Sequence, residues 1–139
     1  MNPMNRFIIV QKKHYRRALL ELRKGCKQTH WMWYVFPQHR KLGHSFRARY
    51  YGLSGIAQAK DYLATPLLEQ RYVECLNILT GLCNLRMSEL DFLKLQSSLT
   101  LFHLAADNDS EVHRLTRVVL DKYFDGKLCD QTYMLAKSS

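Results

Sequence analysis

Helix start and stop signals recur along the whole chain, and they constrain the fold more than any other feature. Thr65-Pro66 is the clearest start, because proline fits the first position of a helix, where its missing N–H is not needed. No stretch shows the alternating pattern of a strand. Capping residues and apolar spacing predict helices over 5–24, just before 36–37, and over 45–51, 54–63, 65–79, 88–105, 109–124 and from 130 onward. The sequence therefore predicts an all-α fold, one domain of six to eight helices over residues 1–139.

The positive charge is concentrated in the first half of the chain. Residues 1–50 carry 12 Lys and Arg against one acid, Glu21, whereas residues 51–139 carry nine against 11 acids. Six of the basic residues share one face of the first predicted helix: Lys12, Lys13, Arg16, Arg17, Arg23 and Lys24. Such a field attracts phosphates, nucleic acids or acidic protein surfaces, although a solvated basic face is also common on protein surfaces.

The cysteines and the N-terminus indicate a cytoplasmic protein. Cys26, Cys75, Cys83 and Cys129 are spaced by 49, 8 and 46 residues, which matches no metal-binding or redox motif. We expect reduced thiols, no metal and no cofactor. The apolar run near the N-terminus has four residues, too few for a signal peptide or a membrane span.

The stretch from His30 to Gln38 is the first candidate for a binding site. Trp31 and Trp33 are candidates to stack on a planar ligand, and Gln38 is a candidate to read its hydrogen-bonding edge. Arg47 and Arg49 follow and are suited to phosphate. Stacking on an aromatic side chain contributes about 1 to 3 kcal/mol per base. The alternative is that the aromatic residues fill the core and that His30 has a structural role.

A second candidate lies on the helix that contains Asp91 to His103. This helix is apolar on most sides, which predicts a central position. Asp91, Lys94 and Ser98 follow one another along a single strip of its surface. Either Lys94 and Ser98 face the aromatic stretch and hold an anionic group, or Asp91 and Lys94 form an ion pair while Ser97 and Ser98 bond back to the helix.

Several motifs together resemble domain-of-unknown-function family 1810 (DUF1810). They are Arg6-Phe7, Gly25, Lys27, the stretch from His30 to Gln38, Leu42-Gly43, Ser45, Tyr62-Leu63, Pro66-Leu67-Leu68, the stretch from Lys94 to Phe102, and Tyr123 to Gly126. The resemblance implies a compact, mainly helical bacterial protein, without an established activity. The basic loop His39-Arg40-Lys41 departs from the family pattern. A histidine and aromatic residues near an early helix also resemble the NADAR proteins that process ADP-ribose, whose acidic catalytic positions lack clear counterparts here.

These observations favour a protein that binds a phosphate-bearing, nucleotide-like ligand, such as an ADP-ribose derivative. The ligand would lie between the segment 30–49 and the helix 91–103, with Arg47 and Lys94 holding the phosphate. If the protein is an enzyme, N-glycosidic or phosphate-ester hydrolysis is expected, with His30 or Asp91 as acid or base. The alternatives are a nucleic-acid-binding protein and a module that docks an acidic protein through its basic half. The sequence leaves the ligand, catalysis and oligomeric state open.

Overall fold

A computed structural model describes residues 2–138. Those residues form eight α-helices and a single 3-10 turn, Arg40–Leu42, so the predicted all-α fold is confirmed. The helices are α1 (Asn5–Lys24), α2 (Met32–Val35), α3 (Phe46–Tyr50), α4 (Ile56–Leu63), α5 (Pro66–Gly81), α6 (Glu89–Ala105), α7 (Glu111–Phe124) and α8 (Asp130–Ser138). None of the helices within this range is long and apolar enough to cross a membrane.

Most of the predicted capping residues cap their helices. The hydroxyls of Ser45, Ser88 and Ser110 each accept the backbone N–H three residues later, at 3.1 Å. Gly25 ends α1 with φ at 69°, a left-handed conformation that glycine adopts without a steric cost.

Three predicted caps are wrong, and one of them is Asp130, which is already the first residue of α8. Asn5 is already the first residue of α1, and the side chain of Asn2 accepts the N–H of Met4 at 2.9 Å. Gly55 stands between Ser54 and α4, with φ at 155°. This conformation suits glycine, so the start of α4 falls one residue later than the serine predicted.

Helix α6 lies at the centre of the molecule, as its apolar sequence predicted. It packs against α4, α7 and α8 and contacts α2, while α5 packs against α1 and α7. Aromatic rings fill the space between these helices: the rings of Tyr72 and Phe102 are 4.5 Å apart, and those of Tyr62 and Phe102 are 5.1 Å apart. This shared core includes residues of the short helix α2 and so fixes its position, while α3 packs against the 3-10 turn Arg40–Leu42.

Helix α1 turns its apolar side toward α2 and α5 and leaves its basic side in solvent. The buried polar residue Gln11 joins it to its neighbours. The Gln11 side-chain amide donates to the backbone carbonyl of Tyr34 at 2.6 Å and to the Tyr62 hydroxyl at 3.0 Å. The apolar stripe of α1 is therefore one side of the core, and its basic face is free for other partners.

Candidate functional site

The loop between α1 and α2 is held by the carboxylate of Glu21. This carboxylate accepts hydrogen bonds from the N–H groups of Gln28 and Thr29, at 2.7 and 2.9 Å, and from the Thr29 hydroxyl at 2.6 Å. A fourth bond comes from the indole N–H of Trp31, at 2.9 Å. The one acid in the first 50 residues is thus a structural anchor for the segment that precedes α2.

Hydrogen bonding determines the ionisation of Glu21. Burial alone raises the pKa of this carboxyl and is the largest single effect. The hydrogen bonds from Thr29, Gln28 and Trp31 together outweigh it, and the pKa falls to about 2. Glu21 is therefore ionised at neutral pH, and its charge is compensated by four donors.

The structure corrects the prediction that Trp31 stacks on a ligand. The side chain is 1% exposed, and its indole N–H is engaged by Glu21. The ring also lies against the core ring of Phe36, at 6.2 Å. A planar ligand arriving from solvent has no open face of Trp31 to cover, so this tryptophan fills the core.

Ser98 is likewise buried, contrary to its predicted role as a ligand contact. Its hydroxyl is hydrogen-bonded to the hydroxyl of Tyr72 at 2.9 Å, and the residue is fully enclosed. Burial raises the pKa of Tyr72 well above its ordinary value, so both hydroxyls stay neutral. This pair stabilises the contact between α5 and α6 and is out of reach of a ligand.

Asp91 is occupied by a different partner from the one the sequence suggested. Its carboxylate accepts from the ammonium group of Lys27 at 2.9 Å, so the alternative of an Asp91–Lys94 ion pair is wrong. The two side chains are only 16% and 7% exposed. The ammonium group also lies 5.3 Å from the Trp31 ring centroid. This arrangement gives Asp91 a structural task, joining α6 to the loop after α1.

A cleft of about 460 Å³ separates α2 and α3 from α6, and we call it the Trp33 cleft. The predicted residues Trp33, Gln38 and Lys94 all line it. Its remaining lining is Leu42, Gly43, His44, Ser45, Ala48, Leu90, Leu93, Ser97 and Gln131. The side-chain amide of Gln38 makes no hydrogen bond within residues 2–138 and is free to meet a ligand. The structure thus brings together three of the predicted residues.

Two cations lie over the indole of Trp33. The Lys94 ammonium is 4.6 Å from the ring centroid, and the Arg47 guanidinium carbon is 5.5 Å from it. Within residues 2–138, neither cation has a carboxylate in ion-pair contact. The indole therefore lies close to two cations, of which Lys94 lines the cleft and Arg47 does not.

Arg47 instead lines a second cavity of about 410 Å³, between α1 on one side and α2 and α3 on the other. We call this cavity the basic pocket. Its lining is Val10, His14, Arg17, Thr29, His30, Trp31, Tyr34, Arg47 and Tyr51. The predicted acid or base His30 thus lies in a different cavity from Trp33, Gln38 and Lys94. The predicted site residues are divided between two cavities.

The remaining candidates lie elsewhere. Arg49 is exposed on α3, about 200° around the helix from Arg47, and lines neither cavity. His39, from the basic loop, is buried, and its Nδ1 accepts the N–H of Lys41 at 3.2 Å. In the part of the chain that the structure describes, no three His, Cys, Asp or Glu side chains are grouped so that they could hold a metal ion.

Sequence reasoning missed several residues of both cavities. The spacing of Val10, His14 and Arg17 places them on one side of α1, where they line the basic pocket. The sequence pattern alone indicates only an apolar side and a basic side of this helix. Leu90 and Leu93 are exposed beside the Trp33 cleft. The helical periodicity of α6 could have predicted that these two leucines are exposed, and exposed apolar residues are a signal of a binding surface.

The fold and its cavities define a small all-helical protein with a basic surface and several ligand-sized concave sites, among them the Trp33 cleft and the basic pocket. The chain belongs to the family described as protein of unknown function, DUF1810, whose model matches residues 1–136. It is similar to the crystal structure of the conserved hypothetical protein Rv1873 from Mycobacterium tuberculosis, at 1.38 Å. That match has a TM-score of 0.90 and 36% identity and covers 98% of this chain and 97% of the other. Comparison with curated proteins gives no match.

Proposed function

We propose that this protein binds a phosphate-bearing ligand with a planar group, of the nucleotide or ADP-ribose class, in the Trp33 cleft. The observation that carries the proposal is the Lys94 ammonium group, which lines the cleft, lies 4.6 Å from the Trp33 ring centroid and has no carboxylate partner in the described residues. Uncompensated cations beside a concave surface attract an anionic group.

The rest of the cleft supports a planar, partly apolar ligand. Leu90, Leu93 and Ala48 supply apolar surface next to the indole, and Gln38 supplies both a donor and an acceptor. The volume of about 460 Å³ falls in the range of pockets that hold small ligands. A base or nicotinamide-like ring would pack against the apolar wall while Lys94 meets the phosphate.

Neither of the two predicted acid or base residues lines the Trp33 cleft. Of the two predicted acid or base residues, Asp91 is paired with Lys27, and His30 lines the basic pocket. Hydrolysis of the ligand would have to use His30, whose ring lies 6.2 Å from the Trp33 ring although it lines the other cavity. Binding is therefore the primary proposal, and hydrolysis is a secondary one that depends on it. The free cysteines are consistent with a reducing cytoplasmic setting.

Calorimetric titration with AMP, ADP, NAD and ADP-ribose tests the proposal. Lys94→Gln removes the ammonium and keeps an uncharged side chain of similar length. Loss of a charge-assisted contact should weaken binding of the phosphate-bearing ligand about 10-fold or more. Trp33→Leu should weaken it as well, because it removes both the stacking surface and the support for the two cations.

Lys12→Gln is the matched control, because Lys12 is an exposed lysine that lines neither the Trp33 cleft nor the basic pocket. Its affinity should stay within about twofold of the parent protein, since one distant surface charge contributes little at moderate salt. Equal losses in Lys94→Gln and Lys12→Gln would point to general charge attraction and contradict the proposal. No binding of any of the four ligands would also contradict it.

The basic face of α1 supports a second candidate function, nucleic-acid binding. Lys12, Lys13 and Arg16 are exposed and form no ion pair within the described residues, whereas Arg23 lies 3.8 Å from Glu74. Phosphate contacts of this kind give an affinity that falls steeply with salt. Retention of a short RNA or DNA at low salt, lost in the double variant Lys13→Gln/Arg16→Gln, would support it. Salt-independent binding would contradict it.

A further inference from the structure

The basic pocket is lined by two arginines and two histidines, none of which lines the Trp33 cleft. Helix α1 contributes His14 and Arg17, the loop before α2 contributes His30, and α3 contributes Arg47. None of the nine lining residues is acidic. Two guanidinium groups and two imidazoles therefore face one cavity from three separate segments.

The carboxylate of Glu21 is hydrogen-bonded to the loop that forms one wall of the pocket. Glu21 stands behind the wall formed by Thr29 and Trp31, does not line the pocket, and accepts four hydrogen bonds. Within residues 2–138, Arg17 and Arg47 form no ion pair. Both arginines of the pocket therefore lack a carboxylate in direct contact in this part of the structure.

The pocket also offers an uncharged donor. The Tyr51 hydroxyl makes no hydrogen bond inside the described part of the chain. The Tyr34 hydroxyl, in contrast, donates to the backbone carbonyl of His30 at 3.1 Å and has only lone pairs left to offer. The rings of Tyr34 and Tyr51 meet edge to face at 5.4 Å, which fixes this wall of the pocket.

We propose that the basic pocket is a second, separate binding site, for a small multiply charged oxyanion such as a phosphate or pyrophosphate group. Arg17 and Arg47 provide forked donors that match the geometry of phosphoryl oxygens, and Tyr51 adds a hydroxyl donor. The cavity of about 410 Å³ is open to solvent and wide enough for a phosphoryl group carried by a larger molecule.

The pocket is distinct from the Trp33 cleft because the two cavities share no lining residue within the described chain, although Arg47 of the pocket also approaches the Trp33 ring. The Arg47 guanidinium carbon lies 5.5 Å from the centroid of that ring. Lys94 belongs only to the cleft, and Arg17 belongs only to the pocket. The two sites can therefore be tested with different single variants.

The experiment is titration of the full chain with inorganic phosphate, pyrophosphate and ADP at constant ionic strength, followed by calorimetry. Arg17→Gln should weaken pyrophosphate binding about 10-fold or more, because one charge-assisted bidentate contact is lost. Arg16→Gln is the matched control. It makes the same charge change on the adjacent exposed residue of α1, which lines neither cavity, and should change affinity less than about twofold.

Lys94→Gln separates this site from the proposed function. Pyrophosphate affinity should be retained in that variant even if binding in the Trp33 cleft is lost. Equal binding of pyrophosphate and ADP would identify the free oxyanion as sufficient, and tighter ADP binding that Arg17→Gln abolishes would identify a nucleotide-borne phosphate. The proposal is overturned if Arg16→Gln or Lys94→Gln weakens pyrophosphate as much as Arg17→Gln does, or if none of the three probes binds.

Discussion

Replacing Glu21 by glutamine tests whether one buried charge holds the segment that leads into α2. Glutamine has the shape of the protonated carboxyl group, so in Glu21→Gln the amide oxygen can still accept the three N–H groups, and the amide NH2 can donate to the Thr29 hydroxyl, while the negative charge is removed. Hydrogen bonds to a charged acceptor are stronger than those to a neutral one. The substitution therefore isolates the contribution of charge from that of packing.

The magnitude follows from the pKa of this carboxyl, which falls from its ordinary 4.5 to about 2 in the folded protein. At 1.36 kcal/mol per pKa unit, the difference corresponds to about 3 kcal/mol of stability at neutral pH. Glu21 is only 7% exposed, so solvent screening removes little of this contribution. We expect Glu21→Gln to lower the free energy of unfolding at pH 7 by about 2 to 3 kcal/mol.

The pH dependence gives the prediction its sign. A carboxyl with a lowered pKa contributes stability that is fully present above pH 4.5, and this stability is lost as the pH falls through about 2. Urea unfolding of the parent protein and of Glu21→Gln should therefore show a gap at pH 7 that is roughly halved at pH 3. The gap should vanish as the pH approaches about 2.

Glu74→Gln provides the comparison. Its carboxylate is 45% exposed, accepts one hydrogen bond from Tyr15 and lies 3.8 Å from Arg23. Such an exposed pair contributes less than about 1 kcal/mol. If Glu21→Gln costs no more than Glu74→Gln at pH 7, or if its cost is the same at pH 7 and pH 3, the argument from charge is refuted.

Three further substitutions test the neighbouring contacts. Lys27→Met leaves the half-buried carboxylate of Asp91 without its 2.9 Å partner and should lower the free energy of unfolding by about 3 kcal/mol. The double variant Lys27→Met/Asp91→Asn should recover most of this loss. If chemical denaturation shows that the effects of the two substitutions simply add, the reasoning is contradicted. Ser98→Ala leaves the Tyr72 hydroxyl buried and unpaired, so a cost of about 1 to 3 kcal/mol is expected, and Ser98→Ala/Tyr72→Phe should recover part of it in the same assay. Gly43→Ala would place a methyl group 2.3 Å from the Ala48 side chain, so it should reduce ligand binding in the Trp33 cleft and lower Tm, whereas Gly81→Ala, where nothing lies within 4 Å, should not reduce binding.

The helices could be predicted because their signals are local. A capping serine accepts an N–H three residues away, and glycine adopts a left-handed conformation at a helix end, so Ser45, Ser88, Ser110 and Gly25 each act within one turn. The central place of α6 was also predictable, because a helix that is apolar on most sides needs neighbours on most sides.

The candidate site could be predicted only in part, because it depends on contacts between segments that are distant in the sequence. Trp31 and Trp33 are two residues apart and about 200° apart in direction, so one fills the core and the other lines the cleft. Their types and spacing do not say which is which. The sequence suggests Lys94 as the partner of Asp91 because it is one turn away on the same helix. In the structure the partner is Lys27, which the packing of a distant loop brings to Asp91.

The sequence alone determined the all-α fold, the approximate limits of the helices and the strongly basic first half of the chain, because these depend on local backbone preferences and on composition. Only the tertiary structure decided which polar groups meet. It brings the Glu21 carboxylate to the Trp31 indole N–H and places Arg17 and Arg47 on the lining of one pocket. It also places Arg47 and Lys94 close to the Trp33 ring. Those juxtapositions depend on how helices pack against a shared core, and packing is determined by side-chain shape over the whole molecule rather than by any single stretch.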